Sequence, residues 1–526
     1  MLAKTFFRDG LANHLSPMGV LMIIAAVYLT FPGPKLAAAT FWYEFYYDLF
    51  PHKLQYLWKI EELHKKYGPI VRINPIHLHI NDPEYIDEIY ASGNRKRNRD
   101  PWYYRSEKNG PLGWSVFQTV DHDLHRMRRA ALNPFFSMGS IQQLESMISD
   151  KVQKLCNRLK ESHQHDQVVS LTAACAALTM DIISAYAFGT EAANLDKEDY
   201  AAEVLDSYTK LTEFAPIARQ FRWVTKLCLT VMPPWIMHKI SPAAALIPKN
   251  RAMFKTVIQQ AISNQNKDSE GKGNFSQESG TGQPSKGGRT VFQDILRSKL
   301  PEHEKLPARL AAEANLLMIA GTETTARALS VSLFHILDNP WVLNRLREEL
   351  STLATTPRPS VAALSALPFL TATVTEGLRL SHVVSSRMPR YAPEENLVYK
   401  GWSIPAGTCV MQSHYLLHMN SEIFPEPYTF DPRRWLNDAG LKRRYFMGFG
   451  RGSRICLGIN LVYAELFLSI SQLITRFDMS LYETFRERDV DVKRDSIIGL
   501  PSIENEGIKV RITGSRDADG RAKEGE

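Results

Sequence analysis

Residues Phe449 to Gly458 read FGRGSRICLG, and the fold is decided there. A single cysteine, Cys456, stands between glycines and close to Arg454, just ahead of an apolar run with helical spacing, Ile459 to Phe477. Gly450 and Gly452 allow the backbone to turn tightly, and Gly458 lets a flat group approach where a Cβ would block it. A helix starting just beyond Cys456 aims amide N–H groups and a positive dipole end at the sulfur, which favours a thiolate. A thiolate so placed can ligate a metal or attack an electrophile. An isolated cysteine is more often a small buried hydrophobe, and the glycine–arginine setting is what separates this one from that class.

Three other stretches precede it. Phe430 to Trp435 reads FDPRRW, Glu376 to Arg379 reads EGLR, and Ala320 to Thr325 reads AGTETT. Glu376 and Arg379 stand three apart on one helical face and can pair. In AGTETT, Gly321 removes a side chain from a helix interior at a cost of ~1 kcal/mol and opens space against one face. Thr324 can bond back to the carbonyl of Ala320, four residues earlier, leaving its hydroxyl to hold water beside Glu323, a proton source.

The decapeptide fits FxxGxRxCxG at every fixed position and resembles the haem-binding loop of the cytochrome P-450 family. AGTETT resembles that family's central-helix pattern, EGLR its ExxR pair, and FDPRRW the Pro-x-Arg-Phe/Trp turn, all in the family order. The resemblance spans roughly residues 32 to 512 and is to the microsomal class E type. The segment DHDLHRMRRAALNPFFS is similar in style to fungal biosynthetic members, trichodiene oxygenase-like enzymes among them.

The resemblance implies haem b with a cysteine thiolate from Cys456 as axial ligand, cradled by Phe449, Gly450 and Gly458. It implies that Arg454 and Arg390 meet the propionates. The family's WxxxR spacing gives His125 and Arg129 here, with histidine in place of the tryptophan. Glu376 and Arg379 are implied to hold Arg434, or its neighbour Arg433, in a network that braces the cysteine loop. The implied activity is a monooxygenase that inserts one oxygen atom from O2 into a lipophilic terpenoid or polyketide intermediate. Glu323 and Thr324 route protons, and a flavoprotein reductase supplies electrons from NADPH. The expected cavity walls are 102–117, 201–222, 315–320, 383–386 and 498–501. Arg126, Arg128 and Arg129 with nearby basic residues are the implied reductase-docking surface, with a solvated charged face as the alternative for Arg126 and Arg128. An O2-independent isomerase or dehydratase of the same fold, a non-catalytic haem-binding protein, and a cysteine hydrolase are the rival readings; no histidine is placed beside Cys456 for the last.

Composition agrees with a globular enzyme. The 526 residues are 44% hydrophobic and 23% charged, with a formal net charge of +7, a mild surplus and weak support for a nucleic-acid partner. At ~150 residues per domain the length allows three or four domains, but the motifs bind 121 to 458 into one site and one large domain. The five cysteines contain no CxxC pair, which excludes a zinc ribbon, an all-cysteine iron–sulfur site and a dense disulfide framework.

The expected fold is mainly α with a minor antiparallel β portion, preceded by one membrane-anchor helix over 11–31. No residue between Asp9 and Lys35 carries a formal charge apart from a protonated His14, and Pro32-Gly33-Pro34 stops the run. A cleaved signal peptide and a buried core helix are the alternatives. An anchor places the protein in the endoplasmic reticulum membrane with the haem domain facing the cytosol. The aromatic stretch FWYEFYYDLF, 41–50, suits either a membrane interface or a core helix. Helical spacing predicts helices over 141–159, 171–188, 201–214, 306–338, 340–350 and 367–380. Short strands are expected at 70–73, 78–80, 397–399, 408–411 and 507–512. One haem domain is expected over 32–514. Within it, 264–289 is a flexible insertion carrying the sequon at Asn274, and 515–526 is a disordered tail.

Overall fold

The computed structural model describes residues 31–104, 112–221, 290–356, 358–436 and 440–516, with scattered positions between 223 and 263. The expected anchor lies outside the described residues except at its last position, as do the 264–289 insertion and residues 517–526. Phe31 belongs to the body: it is buried, with its ring 5.2 Å from Trp402.

The first third of the chain contributes α1 (Trp42–Asp48), α2 (Tyr56–Tyr67), β1 (Ile70–Asn74), β2 (His77–Ile80) and β3 (Asn98–Arg99). Helices α3 (His122–Leu132) and α4 (Glu145–Gln164), strand β4 (Val168–Ser170), then α5 (Leu171–Phe188) and α6 (Ala202–Gln220) follow. The centre is α7 (Pro307–Asp338), continued by α8 (Pro340–Ser351) and α9 (Pro368–Ser381). Strands β5 (Arg390–Tyr391), β6 (Leu397–Tyr399), β7 (Trp402–Ile404) and β8 (Cys409–Met411) come next. The chain ends with α10 (Ile459–Arg476), β9 (Phe477–Leu481), β10 (Arg494–Ser496), β11 (Ile498–Leu500) and β12 (Lys509–Ser515).

Local chemistry explains the boundaries. Pro307, Pro340 and Pro368 each open a helix where the missing N–H has no partner to lose. Asp121 caps α3 by accepting from Leu124, and Ser170 caps α5 by accepting from Ala173. Gly189 ends α5 in the left-handed conformation. Glu349 of α8 accepts the backbone N–H groups of Phe369 and Leu370 at 2.9 and 2.8 Å, satisfying the exposed donors of α9. The predicted helix from 141 is divided: a short turn of helix at Met138–Gln142 precedes α4.

α5 is apolar on all sides (mean hydropathy 1.5) and long enough to cross a membrane, yet it is 83% buried, because it packs along α7 at the centre of the core. A Cβ at Gly321 would lie 2.9 Å from Ile183 Cγ1, so glycine is what lets these two helices approach.

The β portion is mixed, not purely antiparallel. The largest sheet has the order β1-β2-β8-β5-β3, and β2 pairs with β8 in parallel. β3 pairs antiparallel with β5 and sets Arg99 opposite Arg390. The final strand reaches Ser515, and Arg516 pairs with Asp478 at 2.9 Å, so the packed body extends past the expected boundary at 514.

α1 reverses the usual amphipathic pattern. Its acids Glu44 and Asp48 are buried, while Trp42, Tyr46 and Phe50 around them are exposed. Glu44 accepts from Arg219 of α6 at 3.1 Å and from Arg387, and burial of the charges is compensated by these two guanidiniums.

Candidate active site

A cavity opens between the cysteine loop and α7. From the loop it is lined by Phe449, Gly450, Arg454, Cys456 and Gly458, and from α7 by Ala320, Gly321 and Thr324. The loop is shaped by Gly450 and Gly452 at φ +68° and +73°; a Cβ at Gly452 would strike the carbonyl oxygen of Tyr90 at 2.0 Å. Nothing lies within 4 Å of the position a Cβ at Gly458 would take. The Cys456 N–H donates to the Phe449 carbonyl at 2.8 Å, closing the turn.

The sulfur environment differs in balance from the expectation. Burial raises the Cys456 thiol above its ordinary value; a hydrogen bond from the Gly458 backbone and the nearby Arg129 lower it, but do not outweigh burial. The other described cysteines, Cys156, Cys175 and Cys409, are buried, and burial pushes their thiols up. Cys409 lies in the core beside His77 and Asp100, whose side chains are 2.6 Å apart, and it does not line the cavity.

One wall of the cavity is cationic. Arg454 donates to the carbonyls of Thr119, Val120 and Asp121 at 2.6, 2.8 and 3.1 Å, tying the loop to the start of α3. Two turns along α3, Arg129 donates to the Ile455 carbonyl at 2.6 Å. His125 is buried, and that burial together with Arg454, Arg99, Arg129 and Arg390 pushes it down to about 2, so it is neutral. Arg99, which sequence reasoning missed, completes the group: it faces Arg390 across the β3–β5 ladder and lines the same cavity. Like charges opposite each other on a ladder repel. Burial, then Arg99 and Arg390, push Arg454 down to about 8. Its Nε is buried with no hydrogen-bond partner among the described residues. Arg99 sits in the basic run RKRNR, which reads as a solvated stretch; only the strand register reveals that it turns inward.

Thr324 donates to the Ala320 carbonyl at 2.5 Å, the back-bond its position suggests, and faces the cavity. Glu323 faces away from the cavity, toward α6. It is buried, which pushes it up to about 7, and its Oε1 accepts from Thr209 Oγ1 at 3.0 Å.

Behind the loop, Glu376 accepts five hydrogen bonds from four residues. Arg379 Nη2 and Nε lie 2.8 and 2.9 Å from its two oxygens, Arg434 Nε 2.8 Å, Trp435 Nε1 2.9 Å and the Asp431 N–H 3.1 Å. Arg379 also reaches the carbonyls of His418 and Pro427. Arg434 and not Arg433 is the partner; Arg433 is 69% exposed and pairs with Asp431. Arg128 belongs to neither expected surface, because it is buried and binds Glu304 at 2.7 and 2.8 Å. Of the expected substrate walls, 102–117, 315–320 and 383–386 line the cavity with Val116, Phe117, Leu316, Leu317, Val383 and Val384, whereas no described residue of 201–222 or 498–501 does.

The profile of the Cytochrome P450 family matches residues 34–505. The chain belongs to the cytochrome P450 family. Similar curated proteins include cytochrome P450 monooxygenase ucsK of an Acremonium species, 38% identical over 92% of this chain and 93% of that one. Conidiogenone synthase PchP450 of Penicillium rubens is 39% identical, covering 92% of this chain and 94% of its own. Cytochrome P450 monooxygenase TRI4 of Trichoderma arundinaceum is 37% identical over 89% and 88%. The chain is a P450 monooxygenase, an oxidoreductase that incorporates oxygen, and the family implies haem held by a cysteine thiolate. The residues present fit that group: the clear space at Gly458 suits a flat ring, and the orphaned Arg454 Nε with the opposed Arg99 and Arg390 suits its carboxylates.

Proposed function

We propose that Cys456 would hold the haem iron through its thiolate and that the enzyme oxidises a lipophilic secondary-metabolite intermediate of terpenoid or polyketide type. The observation that carries this reading is that Cys456, Thr324 and the cationic wall all border one cavity whose remaining sides are largely apolar. When bound, haem supplies activation of O2 and transfer of one oxygen atom, and its thiolate ligand favours O–O cleavage.

The protein's own residues do the rest. Arg99, Arg390, Arg454 and the neutral His125 would hold the propionates, with Arg129 securing the cysteine loop through Ile455. The apolar walls exclude water and orient a hydrophobic substrate between the loop and α7. Thr324 holds a proton on Oγ1 at the cavity surface, and Glu323 one helical position before it carries an exchangeable proton near neutral pH. Glu376, Arg379 and Arg434 are supports, not reactants.

An NADPH-dependent reductase would supply electrons, with Arg126 exposed for docking. The outward aromatics Trp42, Tyr46 and Phe50 support contact with a membrane surface, consistent with an endoplasmic reticulum location and a cytosolic haem domain. The fungal relatives support a role in secondary metabolism. Co-expression with a reductase, feeding of terpenoid and polyketide intermediates and isotope-labelled O2 tests the reading. Product carrying one labelled atom, formed only with NADPH, is expected; turnover without O2 or label contradicts it and indicates isomerisation or dehydration.

A further inference from the structure

Glu323 is a buried acid with unequal oxygens. Its Oε1 accepts from Thr209 Oγ1, and its Oε2 is buried without a hydrogen-bond partner among the described residues. Thr209 lies on α6, a helix that borders none of the cavity, and within α6 its hydroxyl has one alternative acceptor, the Leu205 carbonyl at 3.3 Å. The choice of Glu323 therefore joins α6 to α7 at the acid itself.

α6 is held in place by further polar contacts. Pro216 removes the N–H that the Thr212 carbonyl would accept in an unbroken helix, and Ser496 Oγ donates to that carbonyl. Glu213 binds Arg494 Nη1 at 2.5 Å and Lys210 Nζ at 3.0 Å. Arg219 binds Glu44 of α1. Thr209 is thus carried on a helix whose seating is fixed from β10 on one side and α1 on the other.

The geometry points to Thr209 as a positioning residue that decides which oxygen of Glu323 carries the proton and couples that proton to the seating of α6. Because Oε1 is occupied by a donor, the proton of the neutral acid sits on Oε2, the oxygen without a hydrogen-bond partner among the described residues. A donor to a carboxylate also favours the charged form, so Thr209 opposes the effect of burial and keeps Glu323 near neutrality instead of permanently protonated. The charged groups acting on Glu323 are Arg327 on its own helix, which favours the anion, and Glu213 on α6, which disfavours it; Asp491 acts on Arg327 in turn. Thr209 is the neutral partner among them, and the inference rests on the reading of Glu323 as the proton source.

The test compares Thr209→Val and Thr209→Ser holoenzymes with the parent by infrared titration, using Glu323→Gln to assign the carboxyl band. Valine should move the Glu323 midpoint upward by about one pH unit, and serine should restore it. Product formed per NADPH should fall in Thr209→Val, with its pH profile shifted the same way. An unmoved carboxyl band in Thr209→Val overturns the role of Thr209. A moved band with Glu323→Gln still fully coupled instead overturns Glu323 as the proton source and leaves the hydrogen bond standing.

Discussion

Arg434 Nε lies 2.8 Å from Glu376 Oε1 although the two residues are separated by 58 positions, and Arg379 binds the same carboxylate from one turn along α9. Both Glu376 and Arg379 are fully buried, so each charge depends on the other. Arg434→Ala leaves Arg379 to satisfy Glu376 and should cost less than Glu376→Ala, which strands two buried guanidiniums at about 3–5 kcal/mol. Urea unfolding of the two variants, with the double variant closing the cycle, measures the difference; equal small losses would mean that the network is solvated.

Thr324→Ala should keep NADPH oxidation while product per NADPH falls about tenfold or more and peroxide rises. Peroxide and product are measured together. Unchanged coupling would remove Thr324 from proton handling.

Glu323 has its folded value raised to about 7 by burial, above its ordinary 4.5. For a raised acid the folded state favours the protonated form. Its contribution is fully present below the unfolded value and is lost as pH rises through the folded one. Glu323→Gln, which cannot ionise, should melt above the parent at about pH 8, with the gap closing toward about pH 4. Melting temperatures across that range check the sign; a gap that widens on acidification would contradict it.

Gly321→Ala should destabilise the α5–α7 packing, since the new methyl meets Ile183 Cγ1 at 2.9 Å. Overpacking of about 1–3 kcal/mol is offset in part by alanine's helix preference of about 1 kcal/mol. Adding Ile183→Ala should recover some of the loss, and thermal melts of the single and double variants show whether the pair is coupled.

The long helices were legible because their apolar spacing and proline or glycine ends are local; α5 spans the residues that its pattern predicts. The cysteine loop, ExxR pair and threonine were legible as short patterns. Arg99 was not, because its inward turn depends on pairing with Arg390 nearly 300 positions away. Nor was the orientation of α1: its aromatic pattern suits a membrane interface or a core helix alike, and the inward turn of its two acids depends on Arg219 and Arg387, 175 and 343 residues from Glu44. The parallel β2–β8 pair and the Thr209–Glu323 bond fail for the same reason, being set by tertiary packing. The choice between Arg433 and Arg434 required seeing which one turns inward.

The most direct measurement is the spectrum of the reduced holoenzyme with CO. The parent and Cys409→Ala should both show the strongly red-shifted Soret band of thiolate ligation, and Cys456→Ala should lose it. A histidine-type band in the parent, or a thiolate band that survives in Cys456→Ala, would contradict Cys456 as the ligand and with it the assignment of the cavity.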